Sequence, residues 1–208
     1  MMINHKITSK SIESILDHID RSFYYPECDQ PKHCYIVGGN YYEWYFTVAE
    51  YYKPASYFEI GVRFGYSMLA ILAGAGGSIK RVQGYDNQCY VKDSNEKALE
   101  NVNRFLGEGH DLDVSIDTQD TRELKTIEGF WDLAHVDGAH GYGGCQHDLK
   151  LLLGKAKIVM VDDYHTMCRK AVDDFIKENS DDIVSFYDLP TDRGMMVIEY
   201  KHEQTNDS

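Results

Sequence analysis

From Ser56 to Tyr200, short runs rich in β-formers alternate with helical segments, and that alternation restricts the chain to very few architectures. The runs are Ser56–Ile60, Lys80–Tyr85, Asp113–Ile116, Leu133–Val136 and Ile158–Val161. Helical patterns follow them over about 65–75, 91–106, a short stretch from about 121, 142–153 and 165–179. Such alternation calls for parallel βαβ units with helices on both faces of one sheet. Two further runs, Ile183–Tyr187 and Met195–Tyr200, lie too close together for a helical crossover and must pair as an antiparallel hairpin. Ahead of this core, Ile12, Ile15, Leu16 and Ile19 repeat at helical spacing over about 10–22, and an irregular stretch follows to Gly39. A second helix is predicted from Asn40, with Glu43 completing a capping box, to Lys53 before Pro54. The expected organisation is an N-terminal helix and lid-like segment over 1–39, one α/β domain over 40–200, and a disordered tail over 201–208.

Composition excludes several functions. A chain of 208 residues suits one domain. Its net charge of -13 disfavours binding to nucleic acid or anionic lipid, while leaving cation sites open. The longest nearly apolar run, Tyr66 to Gly77, is too short to span a bilayer, and the first residues lack a signal peptide's apolar stretch. Five cysteines without framework spacing predict reduced thiols and a cytoplasmic protein. Cys28 and Cys34 beside His33 match no standard zinc spacing.

Ligands of open α/β sheets bind at the carboxyl ends of the strands, so the strand ends carry the functional expectations. The first strand runs into Glu59-Ile60-Gly61-Val62-Arg63-Phe64-Gly65-Tyr66-Ser67. Gly61 permits a tight turn, and Gly65 permits close approach of a ligand or strand at the helix start. A carboxylate at Glu59 would repel a pyrophosphate but could hold an ammonium. Asp86, about 20 residues past the loop, suits the two hydroxyls of a ribose. Asp137 ends the fourth strand, and Asp162 and Asp163 end the fifth. Neighbouring strands lie about 4.8 Å apart, so the three carboxylates can converge, and their repulsion favours a cation such as Mg²⁺ or Mn²⁺. The competing reading is that Asp162 or Asp163 only caps a helix. His140, three residues past Asp137, could accept a proton from a substrate hydroxyl near pH 7.

These residues resemble the class I S-adenosylmethionine-dependent methyltransferases, in particular the divalent-metal O-methyltransferases, over about residues 40–200. The segment Phe58 to Ser67 is similar to the cofactor loop of catechol O-methyltransferase. The stretch Val136-Asp137-Gly138-Ala139-His140-Gly141-Tyr142, with Asp148 and Val161-Asp162-Asp163-Tyr164, is closer to the macrocin-type sugar O-methyltransferases and cephalosporin-hydroxylase-like proteins. The resemblance implies a Rossmann-like, doubly wound, mostly parallel sheet of seven strands ending in an antiparallel hairpin, with an N-terminal helical extension. It implies S-adenosylmethionine bound through Glu59, Gly61, Gly65, Ser67 and Asp86. Thr118 and Gln119 would lie beside the adenine, and Asp137 at the meeting of cofactor and metal. It implies Mg²⁺ (or Mn²⁺) on Asp137, Asp162 and Asp163. His140 replaces the lysine base of the catechol enzyme, as in the macrocin-type group. The implied partner is a small-molecule hydroxyl acceptor: a sugar, polyol or catechol.

Nine of the 16 tyrosines lie between Tyr24 and Tyr57. Their rings, with Trp44, suit a lid over an acceptor, packing of a helix onto the sheet, or a homodimer contact; packing or a dimer contact is favoured over a lid for Trp44, Tyr45 and Tyr52. Three competing functions remain at this level. One is a nicotinamide-dependent oxidoreductase, against which the missing third glycine argues. The others are a metal-independent methyltransferase and a catalytically degenerate cofactor-binding protein.

Overall fold

The structure, a computed structural model, describes residues 41–107 and 109–201. The expected helix over 10–22, the stretch to Gly39, the Asn40 cap and the tail past Lys201 lie outside them. In chain order the elements are α1 (Tyr41–Tyr52), β1 (Ser56–Ile60), α2 (Tyr66–Ala75), β2 (Arg81–Asp86), α3 (Ser94–Leu106), β3 (Asp113–Thr118), β4 (Trp131–Val136), α4 (Tyr142–Leu152), β5 (Ala156–Val161), α5 (Arg169–Glu178), β6 (Ile183–Leu189) and β7 (Met195–Tyr200). The seven strands form one sheet in the order β3-β2-β1-β4-β5-β7-β6. All pairings are parallel except those of β7, which inserts antiparallel between β5 and β6.

The central strands are covered on both faces, which is why Tyr57 to Ile60 and Leu133 to Val136 form unbroken buried runs. On one face α1, α2 and α3 bury Tyr45, Val48, Met68, Leu69, Ile71, Ala98 and Val102 against Met160 and Val197. On the other, α4 and α5 bury Leu149, Leu152, Val172 and Phe175 against Phe58 and Trp131. Pro54 lacks the N–H that a continuing helix needs, and α1 stops two residues before it. Lys53 then turns its ammonium onto the carbonyl of Gly74, 3.0 Å away, near the C-terminus of α2. Helix α1 lies close to α2: a Cβ on Gly74 would stand 2.1 Å from the Phe46 carbonyl oxygen.

Tyr45 is buried, and Trp44 and Tyr52 are partly buried against the same core, so α1 is packed onto the sheet by its aromatic face. Two local differences from the sequence expectation concern short segments. The helix expected from about 121 is a single 3-10 turn, Thr121–Glu123. The helix expected from 165 begins as a π-type turn, Tyr164–Cys168, before α5 proper. No helix among the described residues is long and apolar enough to cross a membrane.

Candidate active site

The strand order reverses between β1 and β4, and a cavity of about 530 Å³ opens beside that point at the carboxyl ends of the strands. Its walls include Gly61, Asp86, Gln119, Asp137, His140 and Asp162, contributed by five strand ends. The ladder continues past the formal ends of β4 and β5. The Asp137 N–H donates to the Ile60 carbonyl at 2.9 Å, and the Asp162 N–H donates to that of Val136 at 3.0 Å. Both aspartates are thus fixed by backbone bonds at the rim of a rigid sheet.

One end of the cavity is built around Asp86. Its Oδ2 accepts from the Arg63 N–H at 2.8 Å and its Oδ1 from the Gln88 N–H at 2.6 Å. Each oxygen keeps lone-pair capacity for a further donor. Gly61 has φ 88°, and a Cβ there would lie 2.2 Å from the Asp137 carbonyl oxygen. The tight turn therefore serves the close passage of two backbones as well as the cavity wall. Buried Asn101, which the sequence reading missed, donates to the Phe64 carbonyl at 3.1 Å and pins the same loop.

Four of the expected cofactor contacts do not face the cavity. Glu59 is fully buried; Ser67 donates to its Oε1, which also receives His135 Nδ1 at 3.0 Å. The acid is drawn inward because it lies in the central strand, opposite His135 in the register. Gly65 abuts the Cβ of Ala98, so its missing side chain admits α3 rather than a ligand. Thr118 Oγ1 accepts from Gln88 Nε2 at 2.9 Å and Asn95 Nδ2 at 3.1 Å, outside the cavity lining.

At the other end, single donor atoms from His135, Asp137 and Asp162 all lie within 4.8 Å of one another. Asp163 departs from the expected carboxylate triad. Its backbone is left-handed (φ 55°), which turns the buried side chain away: Oδ2 receives Arg193 Nη2 at 2.5 Å and His140 Nδ1 at 2.5 Å. His140 Nε2 donates in turn to Asp137 Oδ1 at 3.0 Å. Tyr45, from α1, donates its hydroxyl to Asp162 Oδ2 at 3.3 Å and lays its ring edge-on to His135.

The electrostatics follow from this crowding. Hydrogen bonds donated to Asp137 and then to Asp163 push His140 up to about 11, against the opposing effect of burial. Burial, then the charge of Asp137, pushes Asp162 up to about 7. Burial pulls His135 down, but the bond to Glu59 and the surrounding carboxylates outweigh it, and its pKa is raised. An anionic cluster that forces protons onto its members is one that a cation would relieve.

A family model described as a methyltransferase domain matches residues 58–164, just over half of the sequence. The chain belongs to that methyltransferase family. Its fold is the one shared with solved class I enzymes. The methyltransferase PaMTH1 of Podospora anserina, solved with S-adenosylhomocysteine, is 21% identical with a TM-score of 0.62, covering 96% of this chain and 91% of its own. An O-methyltransferase from Bacillus cereus, also in complex with S-adenosylhomocysteine, is 11% identical with a TM-score of 0.61, at 93% and 92% coverage. TomG from Streptomyces achromogenes, an O-methyltransferase of tomaymycin synthesis solved with S-adenosylmethionine, is 14% identical with a TM-score of 0.61, at 94% and 92%. No curated protein matches the sequence. Family membership sets aside the nicotinamide reading.

Proposed function

We propose that this chain transfers the methyl group of S-adenosylmethionine to a hydroxyl oxygen of a small molecule, with a divalent cation bound beside the acceptor. The observation that carries the reading is the sharing of one cavity by Asp86 at one end and Asp137, His140 and Asp162 at the other. A nucleoside held on Asp86, beside Gln119, lies in the same space as a proton-handling histidine and a pair of carboxylates. The structures with S-adenosylmethionine or its demethylated product belong to relatives of the same fold and agree with that assignment of the donor.

The chain's residues fit a cation: two carboxylates converge with the buried imidazole of His135, whose Nε2 has no hydrogen-bond partner among the described residues. Asp137 and Asp162 would hold it. Bound there, a dication supplies Lewis-acid stabilisation of a developing alkoxide and offsets the charge of Asp137. Asp86 orients the donor, and the rigid strand ends hold the two halves of the site in register, which favours in-line attack. His140 lies within reach of both a hydroxyl at Asp137 and the Asp163 carboxylate behind it. Two carboxylates hold it protonated, so accepting a substrate proton requires relief of one of them, and Asp137 is the one at the cavity wall. Charge compensation at Asp137 and proton acceptance at His140 are thus coupled.

The test is transfer of a labelled methyl group to a panel of sugars, polyols and catechols, with and without EDTA. Transfer that EDTA abolishes and added dication restores is the expected result. EDTA-insensitive transfer would remove the cation from the reaction, and cofactor binding without transfer to any hydroxyl would favour the degenerate binding protein.

A further inference from the structure

The register of the sheet arranges four donors on one face. Glu59 pairs with His135 across β1 and β4, and His135 pairs with Met160 across β4 and β5. Side chains two residues apart on a strand share a face. Asp137 therefore rises above His135, and Asp162 above Met160, on the side where Glu59 lies. Asp163 is one residue out of that phase, and its left-handed backbone commits it to Arg193 and His140 instead.

His135 is fully buried, and its Nδ1 is spent on Glu59. That leaves Nε2 buried without a partner among the described residues, on a histidine that offers a donor atom within 4.8 Å of both Asp137 and Asp162. An orphaned polar nitrogen inside a core costs stability unless something binds it. A carboxylate behind one nitrogen of an imidazole that clusters with two more carboxylates is the arrangement that orients a histidine ligand toward a metal.

We propose that the cation of this site is held by His135, Asp137 and Asp162, with Glu59 positioning the imidazole, and that a first-row transition dication is preferred to Mg²⁺. The inference rests on the cation-dependent reading above and alters its ligand set. Imidazole nitrogen is a normal ligand for transition ions, whereas Mg²⁺ takes oxygen almost exclusively. Asp163, whose Oδ2 is taken by Arg193 and His140 and which lies outside that group, serves as the orienting carboxylate of His140.

Mn²⁺ is the probe. The full chain, free of any affinity tag and saturated with S-adenosylhomocysteine, is titrated with Mn²⁺, and the bound ion is examined by pulsed electron paramagnetic resonance for coupling to ¹⁴N. The expected result is one directly coordinated nitrogen in the unaltered protein, lost in Asp137→Asn and in His135→Gln. His135→Gln should weaken Mn²⁺ binding at least 10-fold, shift Mg²⁺ by no more than a few-fold, and so collapse the preference. Asp163→Asn should leave Mn²⁺ affinity within a few-fold and retain the nitrogen signal. Bound Mn²⁺ without nitrogen coupling, together with a 10-fold or larger loss in Asp163→Asn, would overturn the ligand set while leaving cation-dependent transfer standing. No binding of Mn²⁺ or Mg²⁺, with EDTA-insensitive transfer, would overturn both. The spectrum of the unaltered protein decides the ligand set even if His135→Gln fails to fold.

Discussion

Asp162 shows how a functional residue can burden its own fold. Its carboxyl titrates at about 7 in the folded chain because burial and Asp137 disfavour its charge, against an ordinary value of 3.8. A raised carboxylate pKa leaves the fold unpenalised below the ordinary value and imposes a cost that grows as pH rises toward 7. In protein stripped of metal with EDTA, Asp162→Asn should therefore raise the melting temperature at pH 8 by several degrees, corresponding to about 1–2 kcal/mol after allowance for partial solvation, and change little at pH 4. A thermal melt at the two pH values checks this; an equal effect at both would point to packing instead. His140→Ala should lower methyl-transfer turnover by about 10²–10⁴-fold while leaving S-adenosylhomocysteine affinity nearly intact, because the histidine meets the acceptor end of the cavity. Steady-state kinetics beside a binding titration separates the two effects, and unchanged turnover would remove His140 from proton transfer. At this scale the sequence was only partly legible. Asp137, His140 and Asp162 stand where strand-end logic puts them, because parallel registers deliver strand tips to one edge. The fate of Asp163 turned on one backbone torsion that no residue type dictates. His135 reads as an ordinary core histidine within an apolar run, and Tyr45 reaches Asp162 across 117 positions in sequence.

Elements carry the cavity through close backbone approaches. The loop between β1 and α2 passes so near the chain leaving β4 that Gly61 has no room for a side chain. Gly61→Ala must move one of the two backbones and adopt a positive φ, and should destabilise the chain by about 2–4 kcal/mol and weaken donor binding, as read by a melt and a titration. A melting temperature within a degree of the unaltered protein would show that the loop yields easily. The seven strands and five helices of the described core follow the alternation of β-rich and helical patterns closely, since each burial period is long enough to register. Two helical segments differ only in type: Thr121–Glu123 is a single 3-10 turn, and Tyr164–Cys168 takes π-type geometry where it leaves the strained Asp163. Gly65, expected to admit a ligand or strand, accommodates Ala98 of α3, a contact between segments some 30 residues apart that no local pattern announces.

For the molecule as a whole, the hairpin is what completes the site. The insertion of β7 between β5 and β6 brings the connecting loop, and with it Arg193, to the cavity wall, where the guanidinium pairs with Asp163. Removal of that charge in Arg193→Ala leaves a buried carboxylate with His140 as its remaining charged partner, so stability should fall while Asp86 and the donor end stay formed. The central claim is that the Asp86 end of the cavity binds the methyl donor in the same space as the acidic cluster. Calorimetric titration of S-adenosylhomocysteine into the unaltered chain and into Asp86→Ala tests it most directly. The account predicts saturable one-to-one binding that Asp86→Ala weakens at least 10-fold; equal affinity in the two proteins, or no binding to either, would contradict it.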